Sequence, residues 1–275
     1  MDIINYAAQR RLLTLARGHP YERDAFHALT DGLDDYDISH VEQPAAQRLL
    51  NVATAAEYDA LLCYDMPGVD FTAQSPPGLV PPDRAFIDNY LAMLDAGVGV
   101  VFMHHALAAW PAWDTFAEIV GGRFHYRPAS LRGQQWPDSG YRHAVTHRIS
   151  VVAQHPVTAG LPDTFEMTDE LYLCPVFEDD VEPLLRSDYD FSQDNFYSAA
   201  HAVAGTMHSR QGWSHPPGSN LVGWVKHWGN RPIVYLQGGD DAAALADPHF
   251  RTLVQNAVRW VSSDEAAAWA RARNS

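Results

Sequence analysis

Two adjacent histidines, His104 and His105, are the residues of this sequence best placed to do chemistry. They lie within Gly97 to Trp110, which reads GVGVVFMHHALAAW. The apolar run Val98 to Met103 is typical of a strand buried in a parallel sheet, and the small residues of Ala106 to Ala109 favour a helix. A buried strand, a tight turn and a helix place one side chain at the carboxyl edge of a sheet, where ligands bind in open α/β folds.

An imidazole at such a corner can act as a base, an acid or a metal ligand near neutral pH. The same corner carries a nucleophilic Ser or Cys in elbow-type hydrolases, whereas here it carries His104. A purely structural interpretation stays open, in which His104 only ends a buried strand. The second histidine, His105, favours a functional site.

Two other polar residues end predicted strands. Arg11 to Arg17 is the first predicted strand, and His19 follows it in a Gly-His-Pro turn. Tyr58 to Gly68 contains the third, which Asp65 ends. Because the carboxyl ends of parallel strands meet at one edge of a sheet, we expect His19 and Asp65 to share a cleft with His104.

The remaining pattern predicts one α/β domain over residues 1–275. Apolar runs alternate with segments of helical periodicity, which indicates a mainly parallel sheet of about five to seven strands with helices on both faces. One helix is expected to run from Ala106 through Val120, with a kink at Pro111. Residues 124–220 have low periodicity and are expected to form an inserted lobe or loops.

The composition excludes several classes of partner. The formal net charge is -15, which leaves no basic surface for nucleic acid or for an anionic membrane. Cys63 and Cys174 lie in apolar surroundings, as reduced core cysteines do. Neither a signal peptide nor a run of membrane-spanning length is evident, so the cytoplasm is the expected location.

The order of several segments resembles the ThuA-like family, which is named for trehalose utilisation. The resemblance extends from about Leu12 to Val261, and HPVTAGLP followed by DELY is its most specific part. The segments are GHP, YDALLCYD, GVGVVFMHHA, GGRFHYRP, HPVTAGLP, TDELY and VRWV. The family is similar in fold to class I glutamine amidotransferases, which implies a flavodoxin-like three-layer sandwich.

The resemblance also implies a site. The family carries a histidine at the elbow in place of the amidotransferase cysteine, and this position falls on His104. Its Asp-Glu pair falls on Asp169 and Glu170. The last strand of the family usually runs into Gly-His, but this chain has Gly238, Gly239 and Asp240 there. Candidates to replace that histidine are His208, His215 and His227.

The resemblance implies carbohydrate metabolism, with trehalose or a related keto-disaccharide as substrate. Glutamine hydrolysis through a thiolate is not expected, because no cysteine lies at a turn before a helix. The motif G-x-S-x-G and the dinucleotide fingerprint are both absent from the sequence. Two classes stay open: an enzyme using acid/base or metal-assisted chemistry, and a non-catalytic module that binds a sugar or a partner on a degenerate amidotransferase scaffold.

These considerations predict a set of roles. His104 is the general acid/base, with Glu170 or Asp65 holding its second ring nitrogen and the following helix directing backbone N–H groups to the site. Zinc or manganese on His19, His104 and Glu170 stays open as an alternative, as does a homo-oligomer. Predicted contacts to a small carbohydrate come from His19, His105, Asp169, Trp136 and Trp213, the two tryptophans because they lie in polar loops.

Overall fold

The computed structural model describes residues 4–274 and is built around one large mixed sheet. The strands are β1 (Arg10–Arg17), β2 (Tyr36–Glu42), β3 (Ala60–Asp65), β4 (Val69–Asp70), β5 (Gly78–Leu79), β6 (Gly99–Met103), β7 (Ala129–Leu131), β8 (Gln134–Trp136), β9 (Gly140–Val151), β10 (Thr164–Leu173), β11 (Glu182–Ser187), β12 (Tyr197–Ser198), β13 (Leu221–Trp228) and β14 (Arg231–Leu236). The strand order in the large sheet is β10-β9-β11-β13-β14-β6-β3-β1-β2, and β12 pairs with β9.

Helices cover both faces of the sheet. They are α1 (Arg23–Ala28), α2 (Val52–Glu57), α3 (Arg84–Ala96), α4 (Asp114–Val120), α5 (Ala199–Val203), α6 (Ala242–Ala246), α7 (Pro248–Val261) and α8 (Asp264–Arg273). In β3, Leu62 and Tyr64 belong to the core that α7 covers, whereas Leu61 and Cys63 belong to the core beneath α3. This alternation is the period of two expected of a strand buried on both faces.

The predicted α/β class is confirmed, and the predicted parallel strands form one half of the sheet, which ends at the edge strand β2. Strands β14, β6, β3, β1 and β2 pair in parallel. The sheet is larger than predicted, because β9, β10 and β11 extend it antiparallel beyond β13. These three strands come from residues 124–220. Both cysteines are free and buried, as predicted.

The helix predicted from Ala106 through Val120 is wrong. A short 3₁₀ turn covers His104–Ala108, and α4 begins only at Asp114. Trp110 interrupts the helix because its φ is +47° and its N–H donates to the carbonyl of Pro67 at 2.7 Å. Pro111 follows, and proline lacks the N–H that a continuing helix needs. Among residues 4–274, no helix combines the length and apolarity needed to span a membrane.

The close contact between β6 and α7 provides a test of this packing. A Cβ added to Gly99 would collide with the carbonyl oxygen of Val261, whereas a Cβ on Gly133 would meet nothing within 4 Å. Gly99→Ala should therefore lower the free energy of unfolding by about 2–3 kcal/mol, the usual cost of overpacking. Gly133→Ala, at φ +73°, should cost only about 1 kcal/mol. Urea denaturation measures both, and a smaller loss for Gly99→Ala would contradict the packing described.

Candidate functional site

His104 lies at the corner where β6 ends, and its side chain is completely buried. Its φ is +47°, a left-handed conformation that is uncommon for a residue other than glycine. Its Nδ1–H donates to the carbonyl of Gln237 at 2.8 Å, and Nε2 lies 2.7 Å from the hydroxyl of Tyr172. The side chain of Gln237 also accepts the N–H of Tyr172, at 3.1 Å. Gln237, the residue that follows β14, therefore hydrogen-bonds both His104 and Tyr172.

The Nε2 atom of His104 also faces two carboxylates. It lies 3.3 Å from Oε2 of Glu170 and 3.5 Å from Oδ1 of Asp240. The second oxygen of Glu170 lies 3.1 Å from Nε2 of His143. We call these four residues, His104, His143, Glu170 and Asp240, the histidine–carboxylate cluster.

The pKa values of His104 and Glu170 are shifted in opposite directions. Burial lowers the pKa of His104, but the carboxylates of Asp240 and Glu170 outweigh it and raise the pKa above its usual value. Burial raises the pKa of Glu170, but His104 and His143 outweigh it and hold the pKa below its usual value. These directions favour a protonated His104 beside an ionised Glu170, that is, an acid next to a base.

Asp169 fixes the loop that delivers Asp240. Its carboxylate accepts the N–H groups of Gly239 at 2.7 Å, Asp240 at 3.0 Å and Glu170 at 2.8 Å. Gly239 has φ +113°, and a Cβ on Gly238 would come within 3.0 Å of the Asp169 carboxylate. The two glycines therefore let the loop close over Asp169. Burial raises the pKa of Asp169 to about 6.

An irregularity in β10 explains how two consecutive acidic side chains are both buried. The pairing of β10 with β9 shifts register between Asp169 and Leu171. Such a bulge re-aims a side chain. Glu170 consequently reaches the cleft described below, while Asp169 turns towards the loop after β14.

His105 and His19 form a second layer beside His104. Nε2–H of His105 donates to the carbonyl of Tyr64 at 2.8 Å, and burial lowers the pKa of this histidine well below its usual value. The His19 ring stacks on His105 with centroids 4.9 Å apart, and the His105 ring meets His104 at 5.4 Å. Burial also lowers the pKa of His19. Among residues 4–274, Nδ1 of His105 has no hydrogen-bond partner.

A cleft of about 410 Å³ opens over the cluster. Glu170 and His143 reach it from the cluster itself, and His104 lies behind them. The lining consists of polar residues near the cluster and of aromatic and aliphatic residues elsewhere: His19, His143, Glu170, Tyr172, Phe71, Phe124, Tyr126, Tyr141, Pro20, Ala199, Ala202, Val203 and Met207.

The structure does not bring Asp65 to this cleft. Successive side chains of β3 point to opposite faces of the sheet, so Asp65 points to the face opposite Tyr64. Its carboxylate accepts a hydrogen bond from the Gln43 amide at 2.6 Å. Burial raises the pKa of Asp65 to about 6, although Gln43 opposes the shift. Asp65 therefore cannot hold the second nitrogen of His104, which contacts Gln237 instead.

The two predicted tryptophans also lie outside the residues that line the cleft. Trp136 and Trp213 flank the His215 ring at 6.1 and 5.7 Å. The indole N–H of Trp213 donates to the carbonyl of Asp138. Of the candidates to replace the late histidine, His208 alone approaches the cluster, with its ring 6.3 Å from that of His143.

Sequence reasoning missed three members of the site. The sequence does indicate Asp240, because this acidic residue follows the Gly-Gly pair at the end of the last strand. Comparison with the family pattern, however, marks this position only as one that lacks a histidine. His143 and Tyr172 lie on antiparallel strands β9 and β10, whose position in the sheet was not predicted. The 3₁₀ turn after His104 also removes the predicted helix whose N–H groups were to face the site.

The fold and the site define an α/β protein with an elbow that carries a histidine at the carboxyl edge of the sheet. The profile of the ThuA family, described as trehalose utilisation, matches residues 14–261, and the chain belongs to this family.

Two solved structures of ThuA-like proteins share the fold of this chain. A ThuA-like protein from Bacteroides uniformis is 19% identical, with a TM-score of 0.64 over 94% of each chain. One from Parabacteroides merdae is 15% identical, with a TM-score of 0.62 over 92% of this chain and 90% of that chain. A glutamine amidotransferase from Thermotoga maritima is 8% identical, with a TM-score of 0.47 over 93% of this chain and 99% of that chain. No curated protein sequence matched the chain.

The position of Asp65 leads to a test that uses pH. Asp65→Asn removes a buried charge while keeping an acceptor for Gln43. Because the folded pKa of about 6 exceeds the unfolded value, ionisation destabilises the native state as pH rises through this interval. The variant should gain about 1–3 kcal/mol in free energy of unfolding at pH 8 and almost nothing at pH 3.5. Denaturant titrations at both pH values measure this, and an equal effect at both would contradict the burial described.

Proposed function

We propose that this chain is an enzyme that performs acid/base chemistry on a small carbohydrate of the glycoside class, to which trehalose and related keto-disaccharides belong. The observation that supports it most is the pairing of buried, oppositely shifted groups, His104 and Glu170, at the floor of a cleft. Environments that push the pKa values of two neighbouring groups apart are typical of acid/base sites. Membership of a family described as trehalose utilisation favours a sugar as the substrate class.

The geometry suggests how a proton would move. Glu170 faces the cleft as a carboxylate and can remove a proton from the substrate, for example beside a keto group. The hydroxyl of Tyr172 can give its proton to the substrate oxygen, and Nε2–H of His104, 2.7 Å away, replaces that proton. His104 thus supplies the acid through Tyr172, because its own ring is completely buried. Asp240 and the carbonyl of Gln237 favour the charged form of His104.

A metal-assisted reaction is the second candidate, and one observation favours it. One ligand atom each from His104, Glu170 and Asp240 lies within 4.8 Å of the others. Imidazole nitrogen and carboxylate oxygen suit zinc or manganese. The hydrogen bond from Nδ1–H of His104 to Gln237 is the outer contact that metal-ligating histidines usually make. A bound ion would polarise a substrate oxygen, and the predicted ligand His19 is outside this group of three.

The acid/base proposal is tested by variants that remove proton transfer. Glu170→Gln, Tyr172→Phe and His104→Gln should each lower kcat/KM by about 10²–10⁴-fold, because none of them can transfer the proton, and the first two also keep the shape of the side chain. A panel of disaccharides and keto-glycosides supplies the substrates. His227→Gln, in β13, is the control and should retain activity. Folded variants that keep wild-type turnover would refute these roles, and ligand binding without turnover under any condition would favour the binding module.

The two chemistries differ in their response to metal removal. The acid/base mechanism predicts that dialysis against a chelator leaves kcat/KM unchanged and that elemental analysis finds less than one ion per chain. Asp240→Asn should then lower activity in a way that depends on pH, because it removes a charge that keeps His104 protonated. If activity disappears with the chelator and returns with zinc or manganese, the cluster is a metal centre, and Asp240→Asn should weaken binding of the ion.

A further inference from the structure

The polar groups of the cleft are concentrated at one end. Glu170 contacts His143, and Tyr172 contacts His104. His19 reaches the same place through its stacking on His105. These side chains offer the donors and acceptors that the hydroxyls of one sugar ring require, while most of the remaining lining is aromatic or aliphatic.

An aromatic path leads from this polar end to the surface. The Tyr172 ring packs on Phe124 at 4.8 Å, Phe124 packs on Tyr126 at 5.1 Å, and Tyr126 packs edge-on against Phe71 at 5.4 Å. The hydroxyl of Tyr126 donates to the thioether of Met66, at 3.6 Å, which is a weak acceptor. Phe71 ends the path and is 38% exposed.

Another part of the cleft lining is aliphatic. Ala199, Ala202 and Val203 of α5 line it together with Met207, which is 51% exposed. The buried carboxylate of Asp138 holds α5 in place by accepting the hydroxyl of Ser198 at 2.6 Å and the N–H of Ala200 at 2.9 Å. We call Phe71, Phe124, Ala202, Val203 and Met207 the apolar wall.

We propose that the cleft takes a glycoside with an apolar aglycone, an alkyl or aryl group that lies on the apolar wall while one sugar ring occupies the polar end. This assignment rests on the proposed function and narrows its substrate class. A second sugar ring would place hydroxyl groups against side chains that offer them few partners. Polar groups buried without a partner cost free energy, whereas an apolar group gains free energy by leaving water. A cleft of about 410 Å³ has the usual volume for a ligand of this size.

Calorimetry with phenyl α-D-glucoside, methyl α-D-glucoside and trehalose tests the assignment. The phenyl glucoside should bind about 10- to 100-fold more tightly than the methyl glucoside, as expected for burial of one ring. Trehalose should bind no more tightly than the methyl glucoside. Trehalose binding as tightly as the phenyl glucoside would overturn the assignment. Phenyl and methyl glucosides of equal affinity would do the same.

A matched pair of isosteric variants locates the effect. Val203→Thr adds a hydroxyl to the apolar wall without changing its volume and should reduce the preference for the phenyl over the methyl glucoside by about 3- to 10-fold. Val152→Thr makes the same change at a residue that is 45% exposed and outside the cleft lining, and should leave the preference unchanged. An unchanged preference in Val203→Thr would place the aglycone elsewhere and overturn the assignment.

Failure of this inference can be separated from failure of the proposed function. If the phenyl glucoside is preferred but no glycoside or keto-glycoside is turned over in a Glu170-dependent way, the ligand class stands and the enzymatic function fails. If trehalose or a keto-disaccharide is turned over and the phenyl glucoside is not preferred, the proposed enzymatic function is supported and the assignment of an apolar aglycone is refuted. A homodimer in light scattering that Phe71→Ser dissociates would assign the apolar wall to a second copy of the chain and overturn the proposal.

Discussion

The candidate site depends on the carboxylate of Asp169 and the three backbone N–H groups that it accepts. These hydrogen bonds join β10 to the loop after β14 and so fix Asp240 and Glu170 on the same side of His104. Hydrogen bonds to a charged acceptor are worth about 1.5–3 kcal/mol each, which offsets part of the cost of burying the carboxylate. No side chain larger than glycine fits the loop at Gly238 without displacing a neighbour. The Gly-Gly-Asp segment and the buried Asp169 therefore form one structural unit that positions Asp240 and Glu170.

The charges around His104 balance the burial of the cluster. Two carboxylates would repel each other if they faced a neutral histidine. His104 instead supplies the compensating positive charge, and His143 contacts the second oxygen of Glu170 from the more exposed side. A divalent ion would satisfy the same two carboxylates by displacing the proton of His104. Both interpretations thus follow from one fact, the need for positive charge between Glu170 and Asp240.

The sequence was informative where a residue lies on a buried strand of the parallel sheet. His104 was predicted at the end of β6 and is there, because an apolar run followed abruptly by polar residues marks a strand end. Asp65 was placed on the correct strand but on the wrong face, since strand periodicity alone does not say which face meets a cleft. His143 and Tyr172 could not be predicted, because antiparallel pairing between β9 and β10 depends on long-range register. The helix predicted after His104 does not form, because Trp110 adopts a left-handed backbone conformation. The amino-acid composition of this segment does not indicate that conformation.

The division of the sheet into parallel and antiparallel halves explains why the site forms where it does. The parallel half delivers His104 on a left-handed corner, and the 3₁₀ turn that follows is too short to supply the electrostatic support of a helix N-terminus. The antiparallel half delivers the carboxylate of Glu170, the hydroxyl of Tyr172 and the imidazole of His143. Strand β14 joins the halves, because it pairs parallel with β6 and antiparallel with β13, and Gln237 at its end contacts both His104 and Tyr172. In this chain the electrostatic support of the elbow comes from Asp240 after β14 and from side chains of the added strands rather than from a helix.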